Sequence, residues 1–400
     1  SYELVISDKN DLSGLPNGLI ETASADAKAR GKAGKWVFTL SNSSVMPFLQ
    51  YSSNRKLRKE IWNAYQMRAN NGNDKDNKSL AIKIANLRGE KARLLGYATH
   101  ADYVLEKSMA KNPETANKLL NDLWIPALNM ANKEAADIQK MMQKEGINEP
   151  VQPYDWRYYT EKIRKERFDL DEQEMKPYFS LEKTREGVFT VCKNLYGLQF
   201  KQLNNVPKYH EDVTVWEVTE ANGSHVGILY MDFHPRTSKR GGAWMTSYRT
   251  QKMENGKRVA PVVSIVCNFT KPTENAPALL TFDEVSTFFH EFGHALHGLL
   301  SNVTYESLAG TSVPRDFVEL PSQIMENWAA EPEVMKMYAK HYKTGEVIPD
   351  ALIEKMQKAG TFDQGFATTE YLAASLLDMQ YHTQKGKITV DAETFEKEAM

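Results

Sequence analysis

The sequence feature that most constrains the fold is the segment His290-Glu291-Phe292-Gly293-His294. Residues four apart on a helix lie one turn apart on the same face, so the two histidines can share one metal ion if the segment is helical. Thr281 and Glu284 have the spacing of a capping box, which predicts that a helix begins there. Apolar residues then recur at helical intervals and predict a buried face, formed by Val285, Phe288, Phe292, Leu296 and Leu299.

The order of residues in this segment is typical of a catalytic zinc site. Zinc lowers the pKa of a bound water to about 7. Glu291 directly follows the first histidine, so its carboxylate can reach that water without binding the metal. It can then accept the proton of the water and later deliver it to a leaving amine. The alternative is a pair of surface histidines on an ordinary helix, but the predicted cap and the predicted aromatic burial favour the metal site.

A catalytic zinc ion needs a third protein ligand. His297 lies nearly two turns from His290, so three histidines on one straight helix cannot close around a single ion. A carboxylate from a second helix is the better geometric solution. Pro314 suits an early position in such a helix, and Asp316 and Glu319 would then lie one turn apart on one face. One could bind the metal while the other orients a histidine, and the spacing leaves open which. The other downstream carboxylates are Glu306 and Glu326.

The composition is that of an ordinary globular protein, with 41% hydrophobic and 26% charged residues in 400. The formal net charge of −2 gives no basic surface for nucleic acid or for an anionic membrane. No apolar run approaches the length of a membrane span. We therefore expect neither nucleic acid nor a membrane among the partners.

The two cysteines and the N-terminus say little about the compartment. Cys192 and Cys267 are too few for a disulfide framework, and we expect both to be small core residues in strands. The N-terminus shows no signal peptide, but it begins at Ser1 and not at a methionine. We expect a cytoplasmic location, or a periplasmic one if a leader has been removed.

The pattern of the chain changes near residue 185. Residues 54–185 have helical character, with one helix expected from Ser79 to Leu95 and another that starts at Asn112 and Pro113. Residues 187–270 have β character, including a tight turn at Asn222-Gly223, and helical signals return at Thr281. We predict a mainly α protein with a small embedded β-sheet. Its helical region would span 1–185 and its catalytic region 186–400, in one continuous body.

Several motifs together resemble the thimet oligopeptidase family of zinc metallopeptidases. His290-Glu291-Phe292-Gly293-His294 is followed by Arg315-Asp316-Phe317-Val318-Glu319-Leu320-Pro321-Ser322-Gln323. Other segments are similar to the peptidyl-dipeptidase (dipeptidyl carboxypeptidase) branch of that family. They are Lys239-Arg240-Gly241-Gly242-Ala243-Trp244-Met245, Leu308-Ala309-Gly310-Thr311, Phe168-Asp169-Leu170-Asp171 and Lys176-Pro177-Tyr178-Phe179. The resemblance extends over essentially the whole chain.

The resemblance implies roles for particular residues. Glu319 would be the third ligand of one Zn²⁺ ion, and Asp316 would orient a ligand histidine. The fold would be an elongated helical peptidase with a deep substrate channel, for which residues 1–185 form a wall. An edge strand of the small sheet would pair with the substrate backbone. Substrate-side loops would contain Gly241, Gly242, Ala243, Gly310 and Thr311, although these residues could equally form structural turns.

The implied activity is hydrolysis of short unstructured peptides, with release of C-terminal dipeptides by a monomeric enzyme. One alternative is an oligopeptidase of the same family that cuts internally. Another is a zinc-bound, peptide-binding fragment with little turnover, because members of the family carry further N-terminal helices and a C-terminal tyrosine-rich segment that has no match before Met400. On this basis we expect a peptidase body truncated at both ends, which binds zinc but hydrolyses peptides poorly.

Overall fold

The computed structural model describes residues 2–400, and about 52% of the chain is helical. The predicted fold class, mainly α with a small sheet, is confirmed. The α-helices in chain order are α1 (Asn17–Ala29), α2 (Asn42–Tyr51), α3 (Arg55–Gln66), α4 (Lys78–Leu94), α5 (His100–Leu105), α6 (Pro113–Lys144), α7 (Pro153–Phe168), α8 (Glu172–Met175), α9 (Leu181–Tyr196), α10 (Phe282–Leu299), α11 (Leu320–Ala330), α12 (Pro332–Tyr338), α13 (Asp350–Ala359), α14 (Gln364–His382) and α15 (Ala392–Ala399).

Short 3₁₀ helices and β-strands complete the secondary structure. The 3₁₀ helices are Lys9–Leu12, Lys176–Tyr178 and Glu306–Leu308. The strands are β1 (Leu4–Ile6), β2 (Trp36–Phe38), β3 (Gln199–Leu203), β4 (Thr214–Thr219), β5 (His225–Asp232), β6 (Trp244–Arg249), β7 (Lys252–Glu254), β8 (Lys257–Val259) and β9 (Val262–Val266). Within residues 2–400, no helix combines the length and the apolar character needed to cross a membrane.

The chain forms two compact units, each made of two separate stretches. The first contains residues 2–53 and 165–358, and the second contains residues 54–164 and 359–400. Neither boundary coincides with residue 185, where the sequence pattern changes. That pattern marks the passage from helices to strands, whereas a compact unit is set by packing between segments distant in the chain. The channel-wall and catalytic roles of regions 1–185 and 186–400 stay predictions.

The second unit is helical, and its long helix α6 begins as predicted. The side chain of Asn112 accepts a hydrogen bond from Thr115 N at 2.8 Å, and Pro113 occupies the first turn. α6 packs along α14. Trp156 on α7 stacks on Phe366 with ring centroids 4.2 Å apart. The buried core around this stack consists of Ile138, Met142, Trp156, Tyr159 and Ile163.

The predicted helix from Ser79 to Leu95 is confirmed as α4, although its apolar residues are not buried within the described structure. Its small residues Ala85, Gly89 and Ala92 face the interior. The larger ones are exposed, namely Leu80, Ile84, Leu87 and Leu94.

The first unit is built around a five-stranded mixed sheet with the order β3-β4-β5-β9-β6. The β5–β9 pair is parallel and the other pairs are antiparallel. The β region was expected from residue 187, but α9 continues to Tyr196, because Gly197 provides the left-handed residue (φ 72°) that ends a helix. Cys192 is therefore buried in a helix and not in a strand, and Cys267 is buried just after β9.

Helix α10 packs against one face of this sheet at very short distances. A Cβ atom at Gly298 would lie 2.5 Å from Met245 Cε of β6 and 3.1 Å from Val263 Cγ1 of β9. At the other end of the helix, the backbone N–H of Thr270 donates to Glu284 Oε1 at 2.8 Å. α10 therefore runs antiparallel to β9 and in the same direction as β6.

Candidate active site

Helix α10 begins at the predicted capping box. Thr281 Oγ1 accepts a hydrogen bond from Glu284 N at 3.1 Å, and Glu284 Oε2 accepts one from Thr281 N at 2.9 Å. The five apolar residues expected to form the buried face of this helix are all buried. The cap and the buried face together fix the rotation of α10, so the direction of its two histidines is set by the core.

The structure brings His290, His294 and Glu319 together. Glu319 Oε2 lies 3.2 Å from His290 Nε2 and 3.1 Å from His294 Nε2. One ligand atom from each residue lies within 4.8 Å of the other two. Two imidazole nitrogens and one carboxylate oxygen are the donor set of many catalytic metal sites, so these residues fit a metal ion.

Glu319 does not lie within a helix, contrary to the expectation from Pro314. The segment turns through hydrogen bonds from Phe317 N to Pro314 O (3.0 Å) and from Leu320 N to Phe317 O (2.9 Å), and α11 begins only at Leu320. Glu319 is thus the residue that precedes the helix. Ser322, one turn into α11, donates its hydroxyl to Glu319 Oε2 at 2.8 Å and holds the carboxylate.

Gly293 allows this approach of the two segments. A Cβ atom at this position would come within 2.5 Å of both Pro321 O and Ser322 Cα. No real side chain fits at that distance, so glycine is required where α10 touches the start of α11.

Glu326 contacts the candidate site, although the sequence left it as one of several downstream carboxylates. Its Oε1 atom lies 2.6 Å from His290 Nδ1, which donates the hydrogen bond. This contact directs His290 Nε2 towards Glu319 and raises its basicity. The predicted orienting residue was Asp316, which is exposed in the turn before Glu319, and its role stays a prediction. The sequence contains one indication of this role. Glu326 follows Glu319 by seven residues, which corresponds to two helical turns on one face.

The carboxylate of Glu291 is buried beside the two histidines, and its pKa is raised. Oε2 of Glu291 is buried and has no hydrogen-bond partner among residues 2–400. Burial raises the pKa of Glu291 to about 7, the nearby His290 opposes that rise and the carboxylate of Glu319 adds to it. A general base needs a pKa in this range.

The residues predicted for substrate loops lie in two loops of the first unit. Gly241, Gly242 and Ala243 immediately precede β6. Gly310 (φ 53°) packs on α10, where a Cβ atom would lie 3.1 Å from Gly298 Cα, and Thr311 follows it. Gly298 thus contacts both β6 and the second loop. Gly310 and His297 line a pocket of about 330 Å³. His297 does not belong to the metal-ligand cluster, in agreement with its spacing from His290. The substrate role of these loops stays a prediction.

Comparison with known proteins gives a consistent family. The model of peptidase family M3 matches residues 48–400. The chain is 39% identical to a dipeptidyl carboxypeptidase of Escherichia coli over 399 residues, 99% of this chain and 58% of the relative. It is 36% identical to oligopeptidase A of the same organism over 95% of the chain and 57% of the relative. It is 33% identical to saccharolysin of Saccharomyces cerevisiae over 96% of the chain and 55% of the relative. The chain thus spans between half and two thirds of the length of these relatives. The match to the family model over residues 48–400, together with these similarities, shows that the chain belongs to peptidase family M3.

Proposed function

We propose that this chain is the catalytic part of a zinc-dependent peptidase that releases dipeptides from the C-terminus of oligopeptides. The observation that carries the proposal is the convergence of His290, His294 and Glu319 beside the buried carboxylate of Glu291. Among the relatives, the dipeptidyl carboxypeptidase of Escherichia coli supports dipeptide release as the product class. The proposal includes short unstructured peptides as the partners, a monomeric state, and a cytoplasmic or periplasmic location.

Zinc is the proposed ion because two imidazoles and one carboxylate suit it and leave one position open. His290, His294 and Glu319 would hold it. When bound, it would act as a Lewis acid that polarises the scissile carbonyl and makes a water more acidic.

The protein residues would perform the proton transfers. Glu291 Oε2 accepts a proton from the attacking water and, once the C–N bond breaks, donates it to the leaving amine. The burial of this carboxyl matches its pKa to that exchange. Glu326 keeps His290 in one orientation throughout, because its oxygen accepts the Nδ1 proton. Asp316 would assist in the same way.

The second candidate is an oligopeptidase that cuts internally, and the similarity to oligopeptidase A at 36% identity supports it. A chain that binds zinc and peptides with little turnover is the third. Mass spectrometry of the products from one peptide, with a free and with an amidated C-terminus, distinguishes the first two. Dipeptides from the free acid alone indicate the favoured activity, and internal cuts in both peptides indicate the second.

The direct test of the proposed chemistry is Glu291→Gln. We expect this variant to retain its metal while hydrolysis falls by orders of magnitude, because the side chain acts on the water and not on the metal. Metal content and turnover are measured on the same preparation. Loss of the metal, or near-normal turnover, would contradict the assignment. A wild-type chain that binds zinc and peptides but does not cleave them indicates the third candidate.

A further inference from the structure

The loop between β5 and β6, residues 233–243, is anchored by the last residue of β5. Asp232 is 1% exposed and accepts hydrogen bonds from Arg236 Nη1 (2.9 Å) and Nη2 (2.8 Å) and from Lys239 Nζ (2.9 Å). Lys239 also donates to two backbone carbonyl oxygens at the start of the loop, at 3.1 and 2.9 Å. A single buried carboxylate therefore fixes the first half of the loop.

The second half of the loop is anchored by a residue that follows the neighbouring parallel strand β9. Asn268 Nδ2 donates to the carbonyl oxygens of Arg240 (2.9 Å) and Gly242 (2.7 Å). Gly242 has φ 90°, a conformation that favours glycine. The backbone on both sides of Gly241 is thus held in place before the chain enters β6.

The loop carries three cations, and Asp232 neutralises only two of them. Arg240 is exposed, and no carboxylate of residues 2–400 forms an ion pair with it. Its guanidinium lies over the ring of Trp244, 5.0 Å from the centroid. Stacking restricts the guanidinium but leaves the N–H groups at its edge available for a planar anion such as a carboxylate.

Two contacts between α10 and the segment containing β9 locate Trp244 along the axis of the helix. Thr270 contacts Glu284 and Val263 lies beside Gly298, so helix and strand share two fixed points. The helix covers about 21 Å from Glu284 to Gly298, and an extended segment from Thr270 back to Val263 covers about 23 Å. Because the two lengths are nearly equal, positions between these contacts can be matched by interpolation. Interpolation puts His290 and His294 beside positions 267 and 265 of the strand segment.

Two further observations agree with that level. Burial raises the pKa of the Cys267 thiol, and the neighbouring Glu291 adds to this effect. Trp244, over which Arg240 lies, pairs with Val266 of β9. Trp244 is therefore at the height of the metal ligands along α10.

Strand β6 is an edge of the sheet, with β9 on one side and no strand of residues 2–400 on the other. An extended peptide can add to such an edge through backbone hydrogen bonds. In an antiparallel addition the C-terminus of the peptide points towards the start of β6, where Arg240 lies. Two extended residues beyond the cleaved bond cover about 7 Å along the edge of the sheet. Met245 contacts Gly298 of α10, so the neighbouring Trp244 points to the other face, and a guanidinium over its ring approaches the peptide terminus from that face.

We propose that the guanidinium of Arg240 binds the carboxylate at the C-terminus of the peptide. This inference rests on the proposed peptidase function and adds to it the residue that sets the product length. A cation held at a fixed distance from the cleaved bond favours peptides with two residues on that side. Asp232 and Asn268 act as positioning residues, because they hold the loop that carries the cation.

The test compares one peptide with a free C-terminal carboxylate and the same peptide with a C-terminal amide. We expect Arg240→Gln to raise KM for the free acid about 10- to 100-fold, the size of a lost charged hydrogen bond, and to leave kcat and the amide unchanged. Arg240→Lys should restore part of the difference, because it keeps the charge but not the planar fork. An unchanged ratio of acid to amide in Arg240→Gln overturns the proposal.

Two other arginines of the first unit serve as matched controls. Arg185 lies over Trp216 at the same 5.0 Å, on a different strand, so Arg185→Gln should leave the ratio unchanged. Arg249 lies at the opposite end of β6 and donates to Ala260 O. If Arg249→Gln and not Arg240→Gln removes the discrimination, the peptide runs parallel to β6 and the assignment is wrong.

Binding separates failure of this inference from failure of the proposed function. Fluorescence anisotropy of both labelled peptides is measured with zinc-loaded Glu291→Gln protein, with and without Arg240→Gln. Tighter binding of the acid that depends on Arg240 supports the inference even if the wild type hydrolyses neither peptide, an outcome that counts against the function alone. Equal binding of acid and amide overturns the inference even if hydrolysis is observed.

Discussion

The backbone of Gly293 touches the backbone of Ser322: a Cβ atom on the glycine would come within 2.5 Å of Ser322 Cα. Gly293 stands between the two histidines in α10, and Ser322 donates a hydrogen bond to the carboxylate of Glu319. The distance between the two helical segments, and with it the size of the metal site, therefore depends on a single missing methyl group.

Gly293→Ala should separate α10 from α11 and weaken metal binding. We expect at least about a tenfold loss of metal affinity and about 1–3 kcal/mol of destabilisation, as in other overpacked interiors. Chelator competition and thermal unfolding measure the two effects. Gly18→Ala is the control, because a Cβ atom at that helical position meets nothing within 4 Å. Unchanged affinity in Gly293→Ala would show that the site tolerates a wider spacing.

Alanine substitutions at three glutamates should rank their contributions to metal binding. Glu319→Ala is expected to cause the largest loss, since it removes a proposed ligand. Glu326→Ala should weaken binding by roughly 10- to 100-fold, because it removes only the partner of His290 Nδ1. Glu306→Ala should have no effect, since its carboxylate is 58% exposed and pairs weakly with Lys252 at 3.7 Å. A titration with a chelator ranks all three, and a larger loss in Glu306→Ala would be inconsistent with the site described.

Asp316→Ala extends this series as a test of the role that the sequence assigns to Asp316. If Asp316 orients a ligand histidine, the loss should also fall within roughly 10- to 100-fold. His294 Nδ1 is buried and has no hydrogen-bond partner among the described residues, so it is the position where such an acceptor would act. Wild-type affinity in this variant would leave Glu326 as the orienting residue.

Ser322→Ala should loosen the Glu319 carboxylate without removing a ligand. The acceptor is a charged carboxylate, and the loss of such a hydrogen bond costs about 1.5–3 kcal/mol, so metal affinity should fall by roughly 10- to 150-fold. Ser322→Thr keeps the hydroxyl and distinguishes this effect from a packing defect. The dissociation constant for the metal, measured by competition, is the relevant quantity. An affinity equal to that of the wild type in Ser322→Ala would mean that Glu319 needs no such support.

Asp363 should make the stability of the second unit depend on pH. Burial raises the pKa of Asp363 to about 6, although Trp156 Nε1 donates to its carboxylate at 3.0 Å. A raised folded-state pKa favours the protonated form, so stability falls as pH rises from about 4 to about 6. Asp363→Asn removes this loss, and asparagine tolerates the observed φ of 61°.

The comparison is made by urea unfolding between pH 4 and pH 7. Asp363→Asn should gain on the wild type as pH rises, by roughly 1–3 kcal/mol at pH 7. Asp391 is the control with the opposite sign, because its pKa is lowered by hydrogen bonds from Thr394. Asp391→Asn should therefore lose stability relative to the wild type only as pH rises towards about 4, and the difference should stay constant above about pH 5. A constant difference between Asp363→Asn and wild type would show that Asp363 does not titrate in this window.

The arrangement of the metal-binding helix could be predicted because it depends on local rules. Thr281 and Glu284 define the start of α10, and the 3.6-residue period then places His290 and His294 on one side. Spacing left both Asp316 and Glu319 as candidates for the third metal ligand, and only the family resemblance favoured Glu319. The ambiguity has a physical cause, since the segment from Pro314 forms turns and the helix begins six residues later.

The contact of Glu326 with His290 and the position of strand β6 could not be predicted, because both depend on contacts between segments distant in the chain. The hydrogen bond from His290 to Glu326 requires the crossing of two helices at one angle and distance. The residues of β6 show no clear alternation because this edge strand is partly exposed on both faces. The sequence predicted only the loop before it, which contains Gly241 and Gly242. Cys192 was expected in a strand because its helix ends later than the β-rich composition suggested.

The second unit has a further consequence for the order of events during synthesis. Trp156 contacts Asp363, which lies 207 residues later, and Glu134 binds the backbone of Phe366 across 232 residues. Closing such a loop costs about 5 kcal/mol of chain entropy before any packing offsets it. A ribosome that adds 5–20 residues per second needs roughly 10–50 s to pass from one side of this interface to the other. Throughout that interval the face of α6 that packs on α14 in the folded protein stays uncovered.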